Sequence, residues 1–504
     1  MKKSKLLVAL LAAVALLASL AACSLTQVEA ISFTNAPAAS YELNQSVDAK
    51  QFSLTITYDN GNTRTVSLND SILSVTGLVD GRLDTRTVGQ KTVVVSYRGV
   101  TISVYYNVVG EGGGIITPEA PTVGDGKTAD TAYEIATPEN LAAIKSGEKT
   151  TYYQLTKDID LAGYEWVPLA DKTGDSTVFI ENIVLLGNGK NIRNLTITTA
   201  DKSPAMTLMD GVDRFYGLFA GLKNAEVKEL TITDASINIS STQSGDHCKD
   251  VAALAGTSFG NLTITDVIVN GGYFRSNGVM AGIVARPYAN NEATITITGC
   301  RVTGAYFEAY NPDTIETADG QGDKIGGIFG QLQNSTVGKV VVSNCTVSNC
   351  TMYGTRDLGG LIGMSTPVTL NNNTVTGCTI SASVPGGMLE RKGLRNIGGL
   401  VGTIQTSVVI DEKGTTMVSD NYLVKNDTYE GSCTGKYIGG FRRDQYKAGW
   451  TITKGKATLN LPEYTGGDVF KNFVDWQLDI MPEINDWLGG GELPTFSNPD
   501  APAE

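Results

Sequence analysis

The chain has 504 residues, of which 41% are hydrophobic and 18% are charged, and this excludes a largely disordered protein. Its formal net charge of −13 excludes the clustered basic surface that binds a phosphate backbone, so nucleic acid is not an expected partner. The length allows two or three domains.

The first 23 residues have the pattern of an export signal. Three lysines precede a short apolar run, which ends in Leu20-Ala21-Ala22-Cys23. This pattern resembles a bacterial lipoprotein signal with its lipobox. The resemblance implies a signal peptide of residues 1–22, lipid attachment to Cys23 and a protein held at the bacterial cell surface by that lipid alone. An ordinary secretory signal with an incidental cysteine is the alternative.

After a tether of residues 23–29, residues 30–109 alternate apolar and polar side chains in short stretches separated by turns. Asn60-Gly61 favours a type I′ hairpin, and Arg98-Gly99 repeats the pattern, which predicts a small β-sandwich. With Tyr41, "TYDNG" at Thr57–Gly61 and "VSYRGVTISV" at Val95–Val104, the segment resembles a bacterial Ig-like domain of group 3. The resemblance implies a spacer or adhesive module.

The glycine and proline content of residues 110–126 predicts a linker. A short helix is expected next, because Thr137 suits the N-cap, Pro138 suits the first helical position, and Leu141 and Ile144 share one face. We expect this helix to cap the domain that follows.

A glycine-spaced apolar stretch, written "IGGIFG" from Ile325, occurs in seven copies. The equivalent positions are 217, 253, 282, 327, 360, 399 and 440, at intervals of 29 to 45 residues. Threonine- and valine-rich stretches lie between the copies. This period predicts the stacked coils of a right-handed parallel β-helix, and the composition disfavours helical repeats.

The unit "DLGGLIGMSTPVTLNNNTVTGCTI", residues 357–380, resembles the GLUG-motif repeats of bacterial surface proteins. The resemblance implies a GLUG-repeat β-helix over residues 127–446. Residues 447–496, with helical spacing after Asp468, are expected to form a C-terminal cap, and residues 497–504 a disordered tail. The fold class is therefore all-β, an Ig-like sandwich followed by a capped β-helix.

Two columns of apolar side chains follow the repeated glycines. The first is expected to face the interior and consists of Leu218, Leu254, Ile283, Ile328, Leu361, Leu400 and Phe441. The next column runs from Phe219 to Arg442 and is expected to be exposed in part or covered. A Cβ atom at the glycines would clash with the neighbouring coil.

The unequal intervals predict that surplus residues leave the coils along one edge, and loops on a rigid scaffold often bind ligands. Aromatic rings beside charged side chains suit sugars or protein epitopes. The candidate binding residues are Tyr273, Phe274, Arg275, Tyr306, Tyr310, Tyr353, Arg356 and Tyr429. The alternative is that the tyrosines only cover coil edges.

Two cysteine pairs align between repeats, Cys345 with Cys300 and Cys378 with Cys350. In-register neighbours on parallel strands suit disulfide geometry poorly, so the pattern favours buried thiols. The chain has one histidine, His247, and no cysteine in a zinc-ligand spacing, so neither a metal, a cofactor nor a Ser–His pair is expected.

These patterns predict a monomeric, non-catalytic adhesin that binds an extracellular glycan or a host or neighbour protein. A polysaccharide-processing hydrolase or lyase is the alternative, because such enzymes also use β-helices, and a spacer that binds nothing is the third reading. The acidic residues of segment 310–323 are interpreted as a solvated loop, with weak calcium binding second.

Overall fold

A computed structural model describes residues 27–496, with gaps at 39, 88, 110–113, 172–178, 199–204, 209–210, 240–245, 290–292, 310–323, 334–338, 355, 382–394, 406–407, 411–415, 418–422, 426–431, 436, 442–449, 455 and 466–469. The predicted signal peptide, Cys23 and the predicted tail therefore lie outside the described residues. So do Asp468 and the acidic segment 310–323.

The described residues form two compact units, one of residues 27–37, 46–84 and 92–104 and the other of residues 38–45, 85–91 and 105–496. In the first unit, Val28–Asn35, Ser53–Tyr58 and Thr63–Ser67 form an antiparallel sheet. Leu54 and Ile56 point into its core, as period-two alternation requires.

A second sheet has the strand order Ser40–Glu42, Val100–Val109, Gly89–Tyr97 and Ser74–Thr76. The smaller elements are the 3₁₀ turn Ala49–Gln51 and the strand pair Leu78–Val79 and Arg82–Leu83. The predicted all-β character of this segment is confirmed.

The two predicted hairpins differ in their turns. Arg98 and Gly99 both have positive φ, 48° and 89°, as a type I′ turn requires. At the other hairpin only Gly61 does, with φ 78°, and Tyr58 N donates to Asn62 O across a three-residue loop. The type I′ prediction for Asn60-Gly61 is therefore wrong.

The second unit contains a parallel β-helix, which confirms the predicted fold class. Each complete coil runs through four sheets, which we call A, B, C and D, and sheet B receives two successive strands from most coils. Sheet A consists of Ala205–Leu208, Gly211–Tyr216, Asp246–Ala252, Met280–Ala281, Lys324–Gly326, Asp357–Gly359, Arg395–Gly398 and Ser432–Gly435.

Sheet B has 17 strands and includes the two ends of the domain. Its strands are Tyr133–Ile135, Thr151–Leu155, Phe179–Glu181, Ile183–Leu186, Phe219–Lys228, Ala255–Thr265, Val284–Tyr288, Ile295–Thr298, Phe329–Gln331, Val340–Ser343, Ile362–Ser365, Val368–Asn371, Val401–Ile404, Val408–Ile410, Ile438–Phe441, Thr451–Lys454 and Ala457–Asn460.

Sheets C and D complete each coil. Sheet C consists of Ile159–Asp160, Asn191–Arg193, Thr231–Thr233, Ile268–Asn270, Arg301–Thr303, Thr346–Ser348, Thr374–Thr376 and Thr416–Met417. Sheet D consists of Thr196–Ile197, Ser236–Asn238, Tyr273–Ser276, Tyr306–Ala309, Thr351–Tyr353, Thr379–Ser381 and Leu423–Lys425.

The repeated glycines serve two close approaches. Between coils, a Cβ atom at Gly360 would lie 2.2 Å from Gly399 O, so the predicted clash with the neighbouring coil is confirmed. Between sheets, a Cβ at Gly330 would lie 2.6 Å from Met280 O, and one at Gly402 would lie 2.6 Å from Leu358 N. The backbone of sheet A therefore lies directly against the sheet B strands that follow it.

The predicted interior column is confirmed from Leu218 to Leu400, because all six side chains are fully buried. The neighbouring column, from Phe219 to Val401, is equally buried, so the expectation that it is exposed in part is wrong. Both columns belong to one continuous core.

The last copy of the repeat is out of register with the prediction. Val401 pairs with Ile438, and Ile404 pairs with Phe441, so Phe441 does not continue the column of Leu400. Instead Ser432–Gly435 supplies the sheet A strand, and Gly435 pairs with Gly398. Arg442, the predicted last member of the second column, lies outside the described residues.

Surplus residues leave the coils at two corners rather than the one predicted. One corner joins sheet D to sheet A, where residues 310–323 and 382–394 connect successive strands. The other corner lies between the two sheet B strands of a coil. These strands are connected by residues 332–339 in one coil and by residues 442–450 in another. The remaining corners are mostly two-residue turns, but five residues separate the strands at two corners of the last coil, 411–415 and 418–422.

Both ends of the β-helix are covered. The N-terminal helix α1, Pro138–Ala142, begins at the predicted N-cap, where Thr137 Oγ1 accepts from Asn140 N at 3.2 Å. The C-terminal end carries the hairpin Thr451–Lys454 and Ala457–Asn460, followed by helix α2, Phe470–Leu488.

The predicted linker is exposed over most of its described length, but it contacts the β-helix at a few points. Ile116 is buried in the core of the β-helix, Glu134 N donates to Val123 O at 3.0 Å, and Tyr152 N donates to Gly126 O at 2.9 Å. The segment thereby satisfies the backbone at the first strand of sheet B.

Candidate functional site

The outward face of sheet D carries two columns of side chains. The central residue of each strand, such as Phe274 or Phe307, is buried in the core, so its neighbours on both sides point outward. The first outward column is Ser236, Tyr273, Tyr306, Thr351 and Thr379. The second is Asn238, Arg275, Glu308, Tyr353 and Ser381.

Three tyrosines stack along this face, and we call Tyr273, Tyr306 and Tyr353 the tyrosine ladder. The ring centroids of Tyr273 and Tyr306 are 5.7 Å apart, and those of Tyr306 and Tyr353 are 5.8 Å apart. These spacings follow from the coil repeat of about 4.8 Å and suit tilted ring contacts. The ladder therefore joins three successive coils.

An ion pair lies beside the ladder. Arg275 Nε is 3.2 Å from Glu308 Oε1, and Tyr273 Oη donates to Glu308 Oε2 at 3.2 Å. Both charged side chains keep partial exposure, 27% for Arg275 and 13% for Glu308. Glu308 therefore contacts an arginine and a tyrosine that both lie on the preceding coil.

The ladder tyrosines remain neutral over a wide pH range. Burial raises the pKa of Tyr273, Tyr306 and Tyr353, and the negative charge of Glu308 raises each further. The phenols are therefore hydrogen-bond donors with apolar ring faces and do not act as bases near neutral pH.

Tyr105 of the second unit covers part of this face. Its ring stacks on Tyr273 at 4.8 Å and lies 5.1 Å from Tyr306, while Asn107 Nδ2 donates to Ser236 Oγ at 2.6 Å. Tyr273 and Tyr306 consequently keep only 4% and 8% of their surface exposed. The accessible end of the ladder is the half-buried Tyr353.

The structure brings four predicted binding residues together, Tyr273, Arg275, Tyr306 and Tyr353. They lie on strands and not on loops, which corrects the sequence-based placement. Arg356 lies just beyond Tyr353, with its Nε 3.9 Å from Asp357 Oδ2.

Phe274 is a different case. It is fully buried and stacks on Phe307 at 5.0 Å, so its assignment as a binding residue is wrong. The predicted residues Tyr310 and Tyr429 lie outside the described residues.

Sequence reasoning missed Glu308 and Tyr105. Glu308 could have been found, because aligning the "YFRS" and "YFEA" stretches places it beside Arg275. Tyr105 offered no such signal, since it belongs to a strand more than 160 residues away along the chain.

A second polar group is buried where sheet A meets sheet B. Arg286 Nε lies 2.8 Å from Asp250 Oδ2, and Asp250 Oδ1 accepts from Val279 N at 3.0 Å. Farther along, Asn396 Nδ2 donates to Thr403 Oγ1 at 2.8 Å, and that hydroxyl donates to Asp357. These contacts join side chains of sheet A to side chains of sheet B.

A shallow cavity of about 350 Å³ lies in the first coils. Glu148, Asp171, Phe179 and Glu181 line it, and Glu181 Oε1 is 3.0 Å from Lys223 Nζ. The described part of the chain contains no cluster of three or more His, Cys, Asp or Glu side chains that could bind a metal ion. Within that part, too, no helix is long and apolar enough to cross a membrane.

Comparison with known proteins identifies one domain. Residues 34–108 match the bacterial Ig-like domain (group 3), as the sequence resemblance implied. The match covers this domain and not the β-helix. No curated protein sequence matches the chain significantly.

Two solved structures show weak similarity. One, described as "a putative immunoglobulin A1 protease from Bacteroides ovatus", is 17% identical over 69% of this chain and 83% of its own, with a TM-score of 0.37. The other, "a putative surface protein", is 21% identical over 19% of this chain and 94% of its own, with a TM-score of 0.12. Similarity this low carries no argument about fold or function.

Proposed function

We propose that this protein is a lipid-anchored adhesin of the bacterial cell surface, which binds an extracellular glycan or a host or neighbour protein without catalysis. The lipid on Cys23 is its membrane contact, and the β-helix of GLUG-type repeats is its binding scaffold. The Ig-like domain supports a surface location, because such domains occur in bacterial surface proteins.

The observation that carries the proposal is the outward face of sheet D. Stacked tyrosines beside the Arg275–Glu308 pair combine apolar ring faces with fixed charges, and this combination suits sugar rings and protein epitopes. Tyr353, Arg356 and Arg275 are the accessible members. Tyr273 and Tyr306 are covered by Tyr105 and are largely buried, so they position the accessible residues and do not contact the ligand themselves.

A glycan array probed with residues 24–504, with and without calcium, tests this function. Tyr353→Ala and Arg356→Ala should each reduce binding at least tenfold. Tyr152→Ala and Arg301→Ala are matched controls, because these residues lie on outward faces of sheets B and C, and they should leave binding unchanged. Equal losses in all four variants, or no binding to glycans or to extracellular proteins, would contradict the proposal.

One observation favours the second candidate, a polysaccharide-processing enzyme. The cavity in the first coils is lined by the carboxylates of Glu148 and Asp171, and acid–base cleavage of a glycosidic bond uses a pair of carboxylates. If the protein released oligosaccharides from a polysaccharide, and Glu148→Gln or Asp171→Asn abolished the release, the enzyme hypothesis would replace the adhesin hypothesis. We expect no release.

A further inference from the structure

The four buried cysteines occupy one kind of position. Cys300 and Cys345 are the second residues of two-residue turns between sheets B and C, and Cys350 and Cys378 are the second residues of turns between sheets C and D. In the turns that carry these four, the first residue has positive φ, as Asn344 does at 55°, and the second points into the core.

Register places the members of each pair one coil apart, as the sequence predicted. Arg301 pairs with Thr346, directly after Cys300 and Cys345, and Thr351 pairs with Thr379, directly after the other pair. One coil is a step of about 4.8 Å, which is within the Cα separation of about 4.4–6.8 Å that disulfides span. The four side chains are thiols in this structure and are at most 1% exposed.

The geometric objection to a disulfide is weaker here than the sequence suggested. The objection concerned residues inside paired parallel strands, whose backbone is fixed by ladder hydrogen bonds on both sides. These cysteines lie in turns instead, where the cysteine carbonyl bonds to the next coil, as Cys300 O accepts from Thr346 N at 2.9 Å, and the side chain points into the core.

We propose that Cys300–Cys345 and Cys350–Cys378 are two oxidisable dithiols, each of which closes a disulfide between neighbouring coils. The chemistry is thiol–disulfide exchange with an external disulfide, either a small molecule or an oxidised dithiol protein. One cysteine thiolate attacks that disulfide and expels a thiolate. The second cysteine of the pair then attacks the mixed disulfide, and the external disulfide leaves as two thiols that carry the two electrons and two protons.

In the folded protein, interaction between the two thiols of a pair makes their acidities differ. It lowers the pKa of Cys345 and of Cys378, because a thiolate there would accept a hydrogen bond from its neighbour. It raises the pKa of Cys300 and of Cys350, with burial as the next cause. Each pair therefore has one thiol that ionises first and one that keeps its proton.

Burial controls when the reaction can occur. An oxidant cannot reach the sulfur atoms once the coils have closed, so the bridges must form during folding or local opening of the coils. The bridges would close loops that constrain the unfolded chain, and the oxidised protein should be more stable than the reduced one. Which oxidant acts in the cell depends on the export that the proposed function assumes. The ability of the two cysteine pairs to form disulfides does not depend on it.

The test uses residues 24–504 carrying Cys248→Ser and Cys433→Ser, so that only the four core cysteines remain. The protein is refolded with glutathione and glutathione disulfide, and the bridges are mapped by mass spectrometry of unreduced peptides. We expect the links 300–345 and 350–378, and a higher Tm than that of the protein refolded under reduction. Cys300→Ser should lose the first link and keep the second.

A folded protein whose four cysteines are all alkylated after denaturation would overturn the proposal. A link between Cys345 and Cys350, which lie in one coil on either side of strand Thr346–Ser348, would also overturn it. The disulfide links can also be mapped in protein that has been exported to an oxidising bacterial periplasm, and this measurement needs no refolding step. Neither measurement depends on glycan binding, so a failure of the proposed function would leave this result standing.

Discussion

The two positions of each coil turn make opposite demands on a residue. The first adopts left-handed φ, as at Asp266 with 54° and Asn372 with 51°, which asparagine, aspartate and glycine tolerate best. The second faces the core and must be small or apolar. This order of residue types is visible in the sequence of each repeat. The stacking of the cysteines could therefore be predicted by aligning the repeats with one another.

Gly360→Ala tests the close approach between coils. The new Cβ would lie 2.2 Å from Gly399 O, a backbone atom that cannot rotate away, so we expect a loss of about 3 kcal/mol in unfolding free energy. Gly114→Ala is the control, because the nearest atom to its Cβ is Tyr164 Cδ1 at 4.0 Å. Thermal unfolding measures both. Equal Tm values for the two variants would refute the steric argument.

The tyrosine ladder predicts a loss of stability at high pH. Because burial raises the pKa of Tyr273, Tyr306 and Tyr353 in the folded protein, the folded state keeps protons that the unfolded state releases above about pH 10. The stabilisation is complete below pH 10 and is lost as pH rises through the folded-state pKa. Absorbance of tyrosinate should therefore rise together with unfolding. Ionisation of all tyrosines while circular dichroism stays unchanged would contradict this.

The candidate site was only partly predictable at this scale. The residue types of Tyr273, Arg275 and Tyr353 indicated a ligand-binding surface, and the strand register of sheet D brings these residues close together. Their exposure could not be predicted, because Tyr105 covers Tyr273 and Tyr306 from a distant strand, and no local pattern reports such a contact.

At the scale of elements, helix α2 replaces the coil that would follow the last one. Asn485 Oδ1 accepts from Tyr437 N at 2.7 Å and from Ile438 N at 3.0 Å, and its Nδ2 donates to Ile438 O at 3.0 Å. Gln477 Oε1 accepts from Phe441 N at 2.5 Å. Side-chain amides thus occupy the hydrogen-bonding positions of a neighbouring strand, and the exposed edge is closed.

Asn485→Ala should therefore destabilise the C-terminal end. Two buried backbone groups and one partly buried group would lose their partners, at a cost of about 3 kcal/mol after the small gain in helix propensity. Glu483→Ala, at an exposed position of the same helix, should change stability little. Hydrogen exchange of residues 437–441 is the direct measurement. Protection that stays the same in both variants would show that α2 does not cap the edge.

The last coil shows why element boundaries are harder to predict than element types. The letters "IGGF" at 438–441 repeat the glycine motif, but hydrogen bonds decide the register. Ser432–Gly435 pairs with Arg395–Gly398 in sheet A, which leaves Ile438–Phe441 to pair in sheet B. The glycine pattern alone cannot distinguish these two registers, because glycines occur in sheet A strands and also in the sheet B strands that pack against them.

At the scale of the whole molecule, the sequence predicted the order of modules because each has its own period. Alternation with hairpin turns indicated the Ig-like domain, and intervals of 29 to 45 residues indicated the β-helix. The contacts of residues 116–126 could not be predicted, because glycines and prolines are typical of a linker, whereas Val123 O and Gly126 O accept hydrogen bonds from sheet B.

The lipid anchor is testable on the full chain. Cys23→Ser should move the protein from the detergent phase to the aqueous phase after phase separation, because the acyl chains would no longer be attached. Mass spectrometry of the N-terminal peptide should show acylated Cys23 in the unmodified sequence. Recovery of both proteins in the aqueous phase would mean that the export signal is an ordinary secretory one.

Removal of the C-terminal cap tests the β-helix as a whole. A chain ending at Thr465 lacks α2, so the backbone groups of Tyr437, Ile438 and Phe441 would lose the side chains that satisfy them. An open coil edge pairs readily with another chain, so we expect soluble oligomers or aggregates in light scattering. A chain ending at Phe496, which lacks only the predicted tail, should stay monomeric. If the first truncation were also monomeric and equally stable, the cap would not be what keeps the coil edge from self-association.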